Sequence, residues 1–191
     1  VVLDLGCGRG EFTELLLENG INVTAVDMND DMVLYCKDRG FPIVKGDILE
    51  YLDSIDNQSV DGIFLGQVIE HLQPQQLVNL INLAYRKLKP TGKFIAETPN
   101  PQCLSIYAQS FYMDLTHVKP VHAFTSKFMV ESAGFHKVEV HYLSKNDEHL
   151  QLPEIMIDGV DSPSLNQFNE TIRHWNNVIF GYQDYYVLGI K

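Results

Sequence analysis

One stretch constrains this chain more than any other: Val1-Val2-Leu3-Asp4-Leu5-Gly6-Cys7-Gly8-Arg9-Gly10. A buried-strand pattern runs into three alternating glycines, and a helical pattern of Phe12, Leu15 and Leu16 begins directly after them. A strand feeding a helix through a tight turn is the opening of a βαβ unit, whose strands must be parallel. Glycine permits positive φ and lets a ligand approach the backbone closely. The helix N-terminus adds free N–H groups and a partial positive charge. Taken alone, such a turn is equally compatible with a purely structural role.

The same alternation continues to about Pro99. Asn22 to Val26 and Phe41 to Val44 are expected as the second and third strands. Between them lies a helix from about Asp30 to Asp38 that buries Met32, Val33 and Cys36 and stops at Gly40. Val60 to Leu65 is the fourth strand. Leu77, Leu80, Ile81, Ala84 and Leu88 recur at helical spacing, and Pro90-Thr91-Gly92 is expected to turn that helix into a fifth strand, Lys93 to Glu97. Pro101 to Ala123 has no clean period, and an irregular stretch of that length is commonly functional. A helix from Ser126 to Ala133, a strand from His136 to Tyr142 and a polar flap from Ser144 to Ser162 follow. The last elements are a helix marked by Leu165, Phe168, Ile172, Trp175 and Ile179, and a strand from Tyr185 to Ile190. The expected fold is α/β, an open Rossmann-like sheet with helices on both faces. It forms a single domain over 1–191, with 101–123 and 144–181 as substrate-side loop and cap insertions. Val1 already stands inside a strand pattern, so an N-terminal part is expected to have been trimmed.

Polar residues at the strand ends give the chemistry. Asp27 closes the second strand, where a carboxylate can accept from both ribose hydroxyls. Met28 follows it. Asp47 follows the third strand and can accept from an adenine amino group, with Ile48 packing on the ring. Gln67 to His71 follows the fourth strand, beside the position where open α/β sheets bind ligands. Each has a bland alternative: Asp27 and Asp47 as helix caps, His71 as a satisfied buried histidine. Their arrival at successive strand ends favours a nucleoside. The glycine spacing is G-x-G-x-G, whereas dinucleotide enzymes typically show G-x-G-x-x-G, so a nicotinamide oxidoreductase is the weaker alternative. A non-catalytic binding domain is the other.

The formal net charge is −11, which repels phosphate backbones, so no nucleic acid partner is expected. Cys7, Cys36 and Cys103 show no disulfide or zinc spacing, which points to a reducing, cytoplasmic setting. No apolar run is long enough for stable membrane insertion. Oligomeric state leaves no trace in the sequence.

Five segments carry a family resemblance: Val2 to Gly10, Ala25-Val26-Asp27, Gly46-Asp47, Gln67-Val68-Ile69-Glu70-His71-Leu72 and Leu88-Lys89-Pro90-Thr91-Gly92. In that order they resemble a class I S-adenosylmethionine (SAM)-dependent methyltransferase. The resemblance implies a seven-stranded sheet, mostly parallel, with an antiparallel last strand, and SAM as cofactor. It assigns Asp4, Gly6, Cys7, Gly8, Gly10, Asp27, Met28, Asp47, Ile48, Gln67 and His71 to cofactor binding. The segment Phe111 to His122 is similar to one in methyltransferases of glycan and polysaccharide assembly, which implies a sugar, glycan or small-molecule acceptor. A hydroxyl acceptor must lose a proton, and histidine has a suitable pKa. His117 is therefore expected as the base, with Asp114 orienting it or the acceptor, and His122 and Tyr112 lining the pocket. Asp114, His117 and His122 match no standard zinc spacing, so no metal is expected there.

Overall fold

The structure is a computed structural model that describes residues 1–159 and 162–191. Its centre is a seven-stranded sheet in the order β3-β2-β1-β4-β5-β7-β6. The strands are β1 (Val2–Leu5), β2 (Val23–Asp27), β3 (Ile43–Lys45), β4 (Val60–Gly66), β5 (Leu88–Pro99), β6 (His136–Lys145) and β7 (Tyr182–Ile190). The pairs β1–β2, β1–β4, β2–β3 and β4–β5 are parallel, while β7 runs antiparallel between β5 and β6. The helices are α1 (Glu11–Glu18), α2 (Asp30–Asp38), α3 (Ile48–Ser54), α4 (Pro74–Lys87), α5 (Ser105–Gln109), α6 (Ala123–Ser132) and α7 (Pro163–Ile179). The Rossmann-like expectation and the antiparallel last strand are both met.

The central strands read as continuous apolar runs because both of their faces are covered. Leu3, Leu5, Ile63, Leu65 and Phe94 are at most 2% exposed. They form one core with Leu52 of α3, with Leu77, Leu80, Ile81 and Ala84 of α4, and with Val130 of α6. α4 starts where the chemistry says it should: Pro74 occupies its first turn, and Gln73 and Gln76 form a reciprocal capping box.

Several expectations need correction. α3 and α5 carry no long apolar period and were not expected. α3 forms because Asp47 caps it, accepting from the amides of Leu49 and Glu50. Pro90-Thr91-Gly92 is a bulge inside β5 and not the turn that ends α4. Leu88 already pairs with Val60 before the register jumps to Lys93 opposite Gly62, and Thr91 takes up a left-handed φ of 67°. α6 begins three residues earlier than expected, because His122 caps it by accepting from the Phe124 amide at 3.2 Å.

The largest departure is in α7. Its apolar stripe does not go to the core: Phe168 and Trp175 are 45% and 46% exposed, and the helix buries Asn169 and Asn176 instead. Residues 152–155 run extended along that face. Asn176 accepts from the Leu152 amide and donates to the Leu152 carbonyl; Asn169 does the same at Ile155, all four bonds at 2.8–2.9 Å. An extended segment without a sheet partner still needs its backbone satisfied, and two amides at i and i+7 supply this. Replacing both with alanine (Asn169→Ala/Asn176→Ala) is expected to cost about 1–3 kcal/mol for each clamp. It should also remove hydrogen-exchange protection at Leu152 and Ile155 while leaving β1 to β5 protected, a pattern that exchange mass spectrometry reads directly.

Candidate active site

The site lies at the carboxyl ends of the parallel strands, where such sheets bind ligands. The first glycine turn is built on two carboxylates. Asp27 at the end of β2 accepts the Gly8 amide on Oδ2 at 2.9 Å and the Asn29 amide on Oδ1 at 2.8 Å. Asp4 lies beneath the turn, 2% exposed, and accepts the Thr13 hydroxyl at 2.6 Å. Asp4 was expected at the cofactor; the structure makes it the prop that ties β1 to α1. Cys7 and Gly10 are also buried under the turn. Gly6 has φ 72°, and a Cβ there would lie 2.6 Å from Val68 Cγ2, so only glycine fits.

A cleft of about 600 Å³ opens over this turn. It is lined by Gly6, Asp27, Met28, Asp47, Ile48, Gln67 and His71 from the expected set. Asn29, Met32, Val68, Leu72, Gln76 and Thr116 also line it. The Asp27 carboxylate is half committed to backbone amides, which holds it rigidly at the rim with lone pairs to spare. Asp47 is likewise both a helix cap and a cleft residue.

A second cavity of about 430 Å³ adjoins the first, lined by Gln67, Glu70, His71, Pro99, Ile106, Ser110, Phe111, Asp114, His117, Gln183 and Asp184. Gln67 and His71 border both spaces. Gln67 sits at φ 56° at the end of β4, and its side-chain amide donates to Asp184 Oδ1 at 3.2 Å. Left-handed backbone in a residue with a side chain is a cost that functional sites commonly carry.

The irregular stretch places its residues unevenly. His117 enters the second cavity; its ring packs against Phe111 at 4.5 Å and against His71 at 4.6 Å between centroids. Its Nδ1 hydrogen-bonds the Phe111 carbonyl at 2.6 Å, and its Nε2 faces Glu70 Oε1 at 4.0 Å. Asp114 does not orient His117. It accepts the Thr116 hydroxyl at 2.6 Å, and that hydroxyl oxygen lies 2.8 Å from His71 Nδ1, so Asp114 orients His71. His122 caps α6 beside a different pocket and does not reach this cavity. Tyr112 is 68% exposed, and Phe111, only 2% exposed, lines the cavity in its place. Sequence reasoning missed Glu70, Thr116 and Asp184. Glu70 stood next to His71 in a matched motif, and the other two needed the fold.

Burial pushes the pKa of Glu70 up and that of His71 down, the neighbouring His117 adding to the latter. Glu97 is raised by burial and by Asp184. Among the described residues, no lysine or arginine lines either space.

A Tyr-x-x-x-Lys pair, a feature of some nicotinamide enzymes, exists as Tyr85 and Lys89. Lys89 pairs with Asp61 at the opposite end of β4 from the cleft, and the Tyr85 ring packs on Phe135. It has no part in the site.

Comparison with known proteins agrees with this geometry. Residues 3–96 match the methyltransferase domain family. A crystal structure of a SAM-dependent methyltransferase from Archaeoglobus fulgidus is 40% identical, with a TM-score of 0.95, over 100% of this chain and 85% of that one. The chain belongs to the class I SAM-dependent methyltransferases. A ubiquinone biosynthesis O-methyltransferase of Rickettsia conorii is 33% identical over 106 residues, which are 52% of this chain and 35% of that protein. The chain thus spans just over a third of the length of such curated relatives. A phosphoethanolamine N-methyltransferase of Haemonchus contortus, in complex with SAM, shares the fold at 16% identity. Its TM-score is 0.69, over 100% of this chain and 48% of that one. SAM is accordingly the cofactor of this family, and the nicotinamide alternative falls away.

Two outcomes test the turn. Gly6→Ala meets Val68 and a left-handed φ together, and should weaken S-adenosylhomocysteine binding at least about tenfold by calorimetry, a loss of roughly 1.4 kcal/mol. Asp4 has its pKa raised to about 6 by burial, from 3.8. The folded state therefore holds that proton more tightly than the unfolded state. The associated stability is fully present below about pH 4 and is lost as pH rises through about 6, a swing of about 3 kcal/mol. Asp4→Asn keeps an acceptor for Thr13 and should remove that part of the pH dependence, seen as a wild-type-minus-variant difference in urea unfolding between pH 4 and 7.

Proposed function

We propose that this chain transfers the methyl group of SAM to a hydroxyl oxygen of a small or sugar-like acceptor seated in the second cavity. The observation that carries this reading is the shared border. Gln67 and His71 line both the cofactor cleft and the adjoining polar cavity, so a methyl donor in one faces an acceptor in the other. Methyl transfer is an in-line displacement whose barrier falls chiefly through positioning, on the order of 7–11 kcal/mol when the geometry is right.

Three features favour a neutral, hydroxylated acceptor. Among the described residues the cavity carries Glu70, Asp114 and Asp184 and no lysine or arginine, so it disfavours an anionic group near the reacting atom. Its walls are rich in hydrogen-bond acceptors that a hydroxyl can donate to. The relative named an O-methyltransferase supports oxygen as the methylated atom. The glycan preference rests on the Phe111 to His122 segment alone. His117, expected as the base, is one of two imidazoles that face the acceptor's place, and His71 is the other.

The test is calorimetry with S-adenosylhomocysteine, followed by methyl transfer from labelled SAM across sugars, glycan termini and phenols. His71→Ala and His117→Ala should each lower turnover on a verified acceptor by about 10²-fold or more. A folded sample with no affinity for SAM or its demethylated product overturns the reading, as does full turnover in both variants.

A further inference from the structure

Glu70, His71 and His117 meet where the two cavities join. One carboxylate oxygen of Glu70 and one ring nitrogen of each histidine all lie within 4.8 Å of one another. Glu70 and His71 are neighbours in the chain and His117 lies 46 residues on, a separation that matches no standard metal-ligand spacing. Each keeps one possible ligand atom out of other hydrogen bonds among the described residues. Glu70 is fully buried, with Oε2 accepting the Thr98 hydroxyl at 2.8 Å and Oε1 without any hydrogen-bond partner among the described residues. A buried carboxylate oxygen left bare is costly, and either a proton or a metal cation offsets that cost.

The two imidazoles are oriented by their other nitrogens. His117 Nδ1–H donates to the Phe111 carbonyl, which leaves the Nε2 lone pair facing Glu70 Oε1. The Thr116 hydroxyl donates to Asp114, so its oxygen accepts from His71 Nδ1–H and leaves the lone pair of His71 on Nε2. Metal-bound histidines characteristically donate their second N–H to a carbonyl or to a carboxylate-backed group in this way. The backbone holds the loop in register, with the Val118 and Lys119 amides both donating to the Glu70 carbonyl.

We propose that Glu70, His71 and His117 bind a divalent first-row transition metal whose open positions receive the acceptor hydroxyl. Two imidazoles and one carboxylate suit zinc, iron, cobalt or manganese, whereas magnesium and calcium prefer all-oxygen sets. Three protein ligands leave coordination free for a substrate oxygen, which a metal makes more acidic. Two ligand atoms each about 2.1 Å from a tetrahedral metal lie about 3.4 Å apart, so the 4.0 Å gap from Glu70 Oε1 to His117 Nε2 contracts by about 0.6 Å on loading, within reach of small side-chain rotations. Binding of the metal stands by itself; its role toward an acceptor rests on the O-methyl transfer reading.

The experiment uses chelator-stripped protein titrated with Zn²⁺ by calorimetry and with Co²⁺ by visible absorption. One equivalent should bind at micromolar affinity or tighter, with ligand-field bands for Co²⁺. His117→Ala and Glu70→Gln should each weaken binding at least a hundredfold, and Thr116→Val about tenfold, through His71. S-adenosylhomocysteine affinity of the His117→Ala and Glu70→Gln samples, whose altered residues line only the second cavity, should stay within threefold, which shows that these variants fold and separates this inference from the SAM reading. No binding of Zn²⁺, Co²⁺, Mn²⁺ or Fe²⁺ by the wild type overturns the proposal. So does binding that survives unchanged in both His117→Ala and Glu70→Gln.

Discussion

The Asp27 carboxylate is the contact on which the rest of the site depends. It receives the Gly8 amide from one side and the Asn29 amide from the other, and so joins the glycine turn after β1 to the turn after β2. Charge-assisted bonds of this kind are about twice as strong as neutral ones. They fix two loops that would otherwise move independently, and they leave the carboxylate at the rim of the cleft. Beneath it, Asp4 and Thr13 lock the same turn to α1. Loop positions that hold a ligand are therefore set by buried polar contacts, while the apolar core sets only where the strands end.

The division of the site into two spaces follows from β4 and β7. β4 delivers Gln67 in a left-handed conformation, then Glu70 and His71 in a short 3-10 turn. β7 enters antiparallel and brings Gln183 and Asp184 to the far wall. The Gln67–Asp184 hydrogen bond crosses between them. The cleft over the glycine turn thus belongs to the parallel half of the sheet, and the second cavity to the place where strand direction reverses.

Legibility in the sequence divides along the same line. Leu3, Leu5, Ile63, Leu65 and the α4 stripe announce themselves, because strands covered on both faces and an amphipathic helix have unmistakable periods. Gly6, Asp27 and Asp47 were legible because their places at strand ends are local. The second cavity was not. Asp114 looked like a partner for His117 by proximity in sequence, but Thr116 intervenes and turns it toward His71. His122 was drawn to the site by residue type, although its ring is spent on capping α6. On α7 an apolar period pointed to the wrong face, because the segment it packs against presents backbone, which only an amide side chain could satisfy on both its donor and its acceptor. Contacts between distant segments, made through polar atoms, leave no period to read.

The position of β7 also governs the order of assembly. β6 is bonded to β7 and not to β5, so when β6 emerges during synthesis the sheet has no edge ready for it. It must wait for a strand nearly 40 residues downstream, whose pairings are the long-range kind that slow folding. The half that surrounds the first cleft can consolidate from β1 to β5 as it is made. The wall formed by Gln183 and Asp184 arrives only with β7, so the second cavity closes after the cleft beside it has already been shaped.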